Sequence, residues 1–110
     1  MSSDIHPGIA AYFAANNTGD GQAVAATFVA DGEVSDDRNR THKGRTAIAE
    51  WVAETIGVHQ MKFEALTHER DGDGHLVTAR VSGNFPGSPL DYSYRFRVDS
   101  EGIRTLDIRL

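Results

Sequence analysis

Apolar residues in the first half of the chain recur every three or four positions, which is the spacing of an amphipathic helix. The pattern predicts three helices, at about 5–18, 21–30 and 45–56. Asp4 and Asp20 are the expected N-caps, because an aspartate before a helix can accept hydrogen bonds from its first free N–H groups. The apolar positions that define the helical faces are Ile9, Phe13, Val24, Phe28, Ile48, Trp51, Val52 and Ile56.

The apolar period changes to two in the second half of the chain, which is the pattern of half-buried strands. Four strands are predicted, at about 59–70, 76–85, 90–98 and 103–110, with glycine, proline and aspartate clusters between them. Helices followed by strands indicate an α+β domain, and one domain over residues 1–110 is expected. Because only one face of the sheet is apolar, we expect the sheet to curl around the helices as a half-cone with one apolar pocket near its open end.

Composition narrows the classes of function. The chain has 110 residues, 39% of them hydrophobic, a net charge of -5 and no cysteine. The acidic balance argues against nucleic acid as a main partner, and the missing cysteines exclude disulfides and thiol nucleophiles. No apolar run is long enough to span a membrane and no leader is recognisable, so a cytoplasmic location is expected. The five histidines lack ligand spacing, so neither a metal nor another cofactor is predicted.

Several segments of the chain resemble one family. They are residues 12–20 (YFAANNTGD), 26–36 (ATFVADGEVSD), 42–51 (HKGRTAIAEW), 94–98 (YRFRV) and the Gly-Ile pair at 102–103. Together they are similar to the nuclear transport factor 2-like superfamily, which includes SnoaL-like and ketosteroid isomerase-like proteins. The resemblance implies a cone-shaped curved, mainly antiparallel sheet around three helices, and a homodimer through the outer face of the sheet. That face would carry Arg95, Arg97, Asp107 and Arg109.

The resemblance also implies candidate site residues. Tyr12 and Asp36 match the oxyanion-binding tyrosine and the general-base aspartate of steroid isomerases, although a strand shift of one residue would bring in Asp37 instead. The second acid of those enzymes is replaced by Tyr94, and the nearby Asp91 belongs to the opposite face. The expected pocket wall consists of Phe28, Val34, Trp51, Phe63 and Phe96, with His42 near the mouth.

Two functional interpretations follow. The first is a cofactor-independent acid/base isomerase, lyase or cyclase that acts on a small apolar carbonyl compound. The alternative is a non-catalytic small-ligand-binding or dimerisation module, in which the tyrosines are core aromatics. Two further interpretations concern histidines: His59 would be an inward side chain, either satisfied by a neighbour or acting as a proton shuttle, whereas His68 and His75 would be solvated.

Overall fold

The computed structural model describes residues 6–110 and has the predicted order of helices followed by strands. Its elements are α1 (Pro7–Thr18), α2 (Gly21–Ala25), β1 (Phe28–Ser35), β2 (Thr41–Lys43), α3 (Arg45–Val52), a π-helical turn (Ala53–Gly57), β3 (Lys62–Asp71), β4 (Gly74–Ser82), β5 (Leu90–Asp99) and β6 (Gly102–Arg109). The α+β class is therefore confirmed. In the described part of the chain, no helix is both long and apolar enough to cross a bilayer.

The six strands form one curved sheet in the order β2-β1-β6-β5-β4-β3. Strands β1 and β6 run parallel, and every other neighbouring pair is antiparallel. The register of three of these pairs shifts within the strands, and such irregularities bend a sheet and increase its twist. Tyr94 of β5 pairs with Val77 on one side and with Ile108 on the other, so it lies on the inner face near the middle of the sheet.

The start of α1 uses a histidine as its cap. The Nδ1 atom of His6 accepts a hydrogen bond from the backbone N–H of Gly8 at 3.0 Å. The predicted cap, Asp4, lies outside the described residues. The predicted cap of α2 is confirmed, because Asp20 accepts hydrogen bonds from the N–H groups of Gln22 and Ala23 at 3.0 and 3.3 Å.

The second predicted helix is too long. Helix α2 ends at Ala25, and Phe28 already belongs to β1, where it pairs with Ile103 of β6. The four-residue spacing of Val24 and Phe28 is compatible with one helical face. A helix that continued through Phe28 would leave the backbone groups of β6 without the hydrogen bonds that β1 supplies. The chain therefore changes from helix to strand between two buried residues.

The hydrophobic core fills the space between the concave face of the sheet and the helices. Helix α1 is tied to the edge strand β3 by Asn17, whose amide nitrogen donates to the carbonyl of Phe63 at 3.0 Å and whose oxygen accepts from its N–H at 2.7 Å. The Asn17 side chain thus supplies hydrogen bonds to the free edge of β3 at one position. It joins the C-terminal end of α1 to the beginning of β3.

One predicted surface histidine is buried. His75 is 7% exposed, and its Nδ1 atom lies 2.9 Å from Nε2 of His68. The ring of His6 packs edge-on against His75, with 5.5 Å between ring centroids. The expectation of a solvated His75 was wrong because the N-terminal end of α1 covers this part of the hairpin.

The outer face of the sheet carries ion pairs, as the alternation of β5 and β6 predicts. Arg95 contacts Asp71 at 3.0 Å, and Arg109 contacts Asp107 at 3.0 Å. These groups are substantially exposed, and exposed pairs of this kind add little to stability. The homodimer through this face stays a prediction.

Candidate functional site

A cavity of about 550 Å³ opens between the π-helical turn and the concave face of the sheet. This volume lies in the usual range for small-molecule sites. The apolar part of its wall consists of Trp51, Ile56, Met61, Phe63, Val81, Phe85, Pro86, Leu90 and Ile108. The polar part consists of Asp37, Arg38, Arg40, Glu54, Thr55, His59, Tyr92 and Tyr94. The wall of the cavity is therefore mixed, about half apolar and half polar, and not apolar throughout as the sequence predicts. Several of its polar groups can donate or accept protons.

Tyr94 is the buried phenol of the cavity wall. It lies on the inner face of β5 and is 3% exposed. Burial raises the pKa of Tyr94 well above its ordinary value, and the neighbouring Tyr12, Tyr92 and Asp37 raise it further. The hydroxyl group stays protonated at neutral pH, so it is available as a hydrogen-bond donor.

Tyr12 lies behind Tyr94 rather than on the cavity wall. Their ring centroids are 6.3 Å apart, and the Tyr12 ring packs edge-on against Phe13 and Phe96 at 5.2 and 5.4 Å. Burial raises the pKa of Tyr12 far above its ordinary value, while the nearby Asn16 side chain acts in the opposite direction. The structure thus brings the two predicted phenols together, with only Tyr94 on the cavity wall.

Asp36 is buried, but its carboxylate is fully engaged by the loop that follows β1. One oxygen, Oδ1, accepts from the backbone N–H groups of Arg38 and Arg40 at 3.0 and 2.9 Å. The other, Oδ2, accepts from Nε of Arg40 at 3.2 Å and lies 3.0 Å from Nε2 of His42. Burial alone would raise the pKa of Asp36, but the bonds from His42, Arg40 and Arg38 outweigh it, so the pKa is lowered. Asp36 is not part of the cavity wall.

Asp37, the alternative carboxylate, lies on the cavity wall. Its side chain is close to Tyr92: burial raises the pKa of that phenol, and the Asp37 carboxylate raises it further. Asp37 also contributes to the raised pKa of Tyr94. Of the two neighbouring aspartates, Asp37 is therefore the one that lies on the cavity wall.

Two of the predicted wall residues, Trp51 and Phe63, line the cavity. His42 lies behind this wall, where its ring stacks on Trp51 with 5.3 Å between ring centroids and an interplanar angle of 24°. Because its Nε2 atom is close to Asp36, His42 links the loop after β1 to α3.

The other three predicted wall residues lie in the closed core. Phe28, Val34 and Phe96 are fully buried and do not line the cavity. The reason is the position of α1: Tyr12 packs edge-on against Phe28 at 6.0 Å and against Phe96 at 5.4 Å. The helix fills this end of the cone, so the open space lies nearer the π-helical turn.

Several cavity residues were not among the predicted site residues. Tyr92 shares an apolar row with Tyr94 in the sequence, so alternation alone could have identified it. The π-helical turn, which brings Glu54 and Thr55 to the cavity, has no evident signal in the sequence. Turns of this kind inside helices are frequent at functional sites. Within residues 6–110, no three histidine, aspartate or glutamate side chains converge so that they could hold a metal ion.

Similar structures support this fold. A protein from Sinorhizobium meliloti described as a "putative polyketide cyclase" is 35% identical, with 96% of each chain covered and a TM-score of 0.88. A Catenulispora acidiphila protein with a ketosteroid isomerase-like fold, in complex with trimethylamine, is 24% identical over 94% of this chain and 85% of its own, with a TM-score of 0.84. SalBIII, an epoxide hydrolase/cyclase-like enzyme of pyran ring formation in salinomycin, is 17% identical over 93% and 86%, with a TM-score of 0.78. The last two show the fold alone.

Sequence comparison assigns the family. No curated protein has a matching sequence. The sequence profile of the SnoaL-like domain matches residues 9–105, which is most of the chain. The nuclear transport factor 2-like fold predicted from the resemblance is thereby confirmed, and the chain belongs to the SnoaL-like domain family.

Proposed function

We propose that the protein is a cofactor-independent acid/base catalyst, an isomerase, lyase or cyclase, that acts on a small, largely apolar carbonyl compound in this cavity. The observation that carries the proposal is the proximity of one carboxylate to two phenols, Tyr94, which is buried, and Tyr92, which is partly buried. Asp37 raises the pKa of both Tyr92 and Tyr94, and all three side chains line the same cavity. A base beside protonated donors is the arrangement that enolate chemistry needs.

The reaction would begin at the carbon next to the carbonyl group of the ligand. The Asp37 carboxylate accepts a proton from that carbon, and the electron pair of the broken C–H bond moves into the ligand until the charge rests on the carbonyl oxygen. Tyr94 donates a hydrogen bond to this oxygen, and the burial of its phenol strengthens that bond. Return of the proton to another carbon completes an isomerisation, whereas attack of the enolate carbon on a second carbonyl forms a ring.

Asp36, the base suggested by the resemblance, is the weaker candidate. Its two oxygens already accept hydrogen bonds from backbone and side-chain donors, and its pKa is lowered. Both effects reduce its tendency to accept a proton from carbon. We therefore assign Asp36 to the support of the loop and Asp37 to proton transfer.

A binding module without catalysis is the second candidate. The Catenulispora acidiphila relative is in complex with trimethylamine, a small ligand. The carboxylates of Asp37 and Glu54 on the cavity wall could likewise contact a small cation without any proton transfer. Binding without proton exchange at carbon would identify this alternative.

Deuterium exchange in D₂O separates the two candidates. The ligands are β,γ-unsaturated cyclic ketones and linear diketones, and the readout is the mass of the recovered ketone. We expect exchange with the wild-type protein, a loss of about 100-fold in Asp37→Asn, and a smaller loss in Tyr94→Phe. Asp91→Asn is the matched control, because Asp91 is an exposed carboxylate on the outer face, paired with Arg80 at 2.9 Å. Equal exchange in wild type and Asp37→Asn would remove the enzyme proposal.

The homodimer belongs to the same proposal. Charged residues of both signs cover the outer face, so two copies could exchange their ion pairs across a twofold axis. Light scattering after size-exclusion chromatography measures the mass directly. A monomer over the whole accessible concentration range would contradict the dimer.

A further inference from the structure

His59 and Asp37 both lie on the cavity wall. Asp37 follows β1, which is the second strand from one edge of the sheet, and His59 precedes β3, the strand at the other edge. Strand β5, which carries Tyr92 and Tyr94, lies between them. A ligand in the cavity would therefore have a carboxylate at one side, an imidazole at the other and two phenols between.

The imidazole ring of His59 is held in one orientation by the segment after β4. Its Nδ1 atom lies 3.0 Å from the backbone carbonyl oxygen of Asn84, and the N–H of Asn84 donates to the carbonyl of His59 at 2.7 Å. Gly83 makes this approach possible, because a Cβ atom at that position would lie 2.8 Å from the His59 carbonyl oxygen. One hydrogen bond therefore holds the ring of His59, and the other holds its backbone.

This contact determines which ring nitrogen can exchange protons. A carbonyl oxygen only accepts hydrogen bonds, so Nδ1 of His59 must carry the hydrogen. In the neutral ring Nε2 then has a free lone pair, and in the charged ring Nε2 also carries a hydrogen. The bond to Asn84 is the same in both states. His59 can therefore gain and lose a proton at Nε2 without losing its position.

We propose that His59 is a second proton-transfer residue of this site, which exchanges a proton with the ligand through Nε2 while Asp37 acts from the opposite side. This inference rests on the proposed acid/base function. Because the two groups follow and precede strands in opposite halves of the sheet, they act on different atoms of one ligand. The site then favours reactions in which a proton is removed at one position and added at a distant one.

With a ketone that has a β,γ double bond, Asp37 and His59 act in sequence. Asp37 accepts a proton from the carbon between the carbonyl group and the double bond, and Tyr94 stabilises the resulting dienolate. The charged His59 ring donates its Nε2 proton to the far carbon, where the electron pair of the dienolate forms the new C–H bond. The double bond moves into conjugation with the carbonyl group. Asp37 and His59 then return to their starting states by exchange with water.

A purely structural role for His59 is the competing explanation, since its ring also fastens residues 59–61 to residues 83–84. The variant His59→Asn separates the two roles. An asparagine amide nitrogen can replace Nδ1 as the donor to Asn84, but it has no group that takes up a proton near neutral pH. His68→Asn is the matched control, because His68 contacts His75 outside the cavity wall.

Two measurements test the inference. The first is ¹⁵N NMR of the wild-type histidine rings, where we expect neutral His59 to carry its hydrogen on Nδ1. The second is isomerisation of 3-cyclohexen-1-one in D₂O, followed by the position of deuterium in the product. We expect the new C–H bond to take its hydrogen from solvent, a rate about 100-fold lower in His59→Asn, and an unchanged rate in His68→Asn.

The outcomes distinguish the failure of this inference from failure of the proposed function. A hydrogen on Nε2 of neutral His59 would overturn the inference whatever the activity. Equal rates in wild type and His59→Asn, or transfer of the ligand's own hydrogen to the new position, would overturn it while leaving the Asp37 reaction intact. Absence of isomerisation and of carbon exchange for every ketone in the wild-type protein would overturn both.

Discussion

Replacement of Asp36 by alanine tests whether this carboxylate supports the loop after β1. The substitution removes the acceptor of two backbone N–H groups, those of Arg38 and Arg40, at 3.0 and 2.9 Å. It also leaves His42 without its carboxylate partner. The carboxylate itself is 3% exposed, so water does not replace it freely in the folded state.

The magnitude follows from these contacts. A net hydrogen bond contributes about 1 kcal/mol, and one to a charged group about 1.5–3 kcal/mol. The Arg40 side chain is 57% exposed, so its ion pair with Asp36 adds little. We expect Asp36→Ala to lower the free energy of unfolding by about 3 kcal/mol. Asp36→Asn keeps one oxygen for the backbone groups and should cost about half as much, roughly 1.5 kcal/mol.

Urea denaturation followed by tryptophan fluorescence measures both variants, and an unchanged slope with denaturant would show that the difference lies in stability. The pH dependence supplies a second check. Because the pKa of Asp36 is lowered in the folded protein, its charged form stabilises the fold above the unfolded-state pKa of about 4, and this contribution is lost as the pH falls through the folded-state pKa. The gap between wild type and Asp36→Asn should therefore shrink in acid. A loss below about 1 kcal/mol in Asp36→Ala, or a gap that does not change with pH, would refute the reasoning.

Three further predictions concern the core. Trp51→Ala should cost about 3–5 kcal/mol in urea denaturation followed by circular dichroism, since Trp51 of α3 is buried and is the only tryptophan of the chain, and a loss below about 1 kcal/mol would contradict its packing role. Both amide atoms of Asn16 are buried, and the side chain lies near the Tyr12 hydroxyl group without a well-formed hydrogen bond. Asn16→Leu should therefore raise the midpoint of thermal unfolding by about 4 °C, whereas a decrease would show that the amide bonds to Tyr12 in solution. Burial and the charges of His68, Arg70 and His6 lower the pKa of His75 in the folded protein, so stability should fall as the pH drops below about 6.5. In thermal scans, the midpoint of His75→Gln should fall less between pH 7 and 5 than that of the wild type. An equal fall in both proteins would exclude His75 as the cause.

The sheet was predictable because its signal is simple. Polar and apolar residues alternate along β4, β5 and β6. In the structure the apolar residues Tyr94, Phe96, Leu106 and Ile108 are buried in the core. The boundary between α2 and β1 was not predictable in the same way. Val24 and Phe28 are four residues apart, which suits one helical face, but a buried strand accepts the same two apolar residues. Pairing with β6 decides between the two, and that partner lies some 75 residues away in the sequence.

The cavity was harder to predict than the fold. Apolar residues on the inner face of a curved sheet share one sequence pattern whether they meet a helix or an open space. Phe28 and Phe96 meet Tyr12 of α1, and Val34 is fully buried, whereas Phe63 and Tyr94 reach the cavity. The difference depends on where the helix lies along the cone. Only the packed structure contains that information.

A residue that the strand pattern places on the inner face does not necessarily line the cavity, as Asp36 and Asp37 show. Val34 is inward and Ser35 is not, so alternation brings Asp36 to the inner side, where it is buried. A buried carboxylate is stable only with donors around it, and the nearest donors are the N–H groups of the following loop. By binding them, Asp36 ends the strand and turns the chain, and the turn brings Asp37 to the cavity wall. The buried carboxylate of Asp36 therefore supports the loop, while the more exposed carboxylate of Asp37 lies on the cavity wall, where we propose that it acts on the ligand.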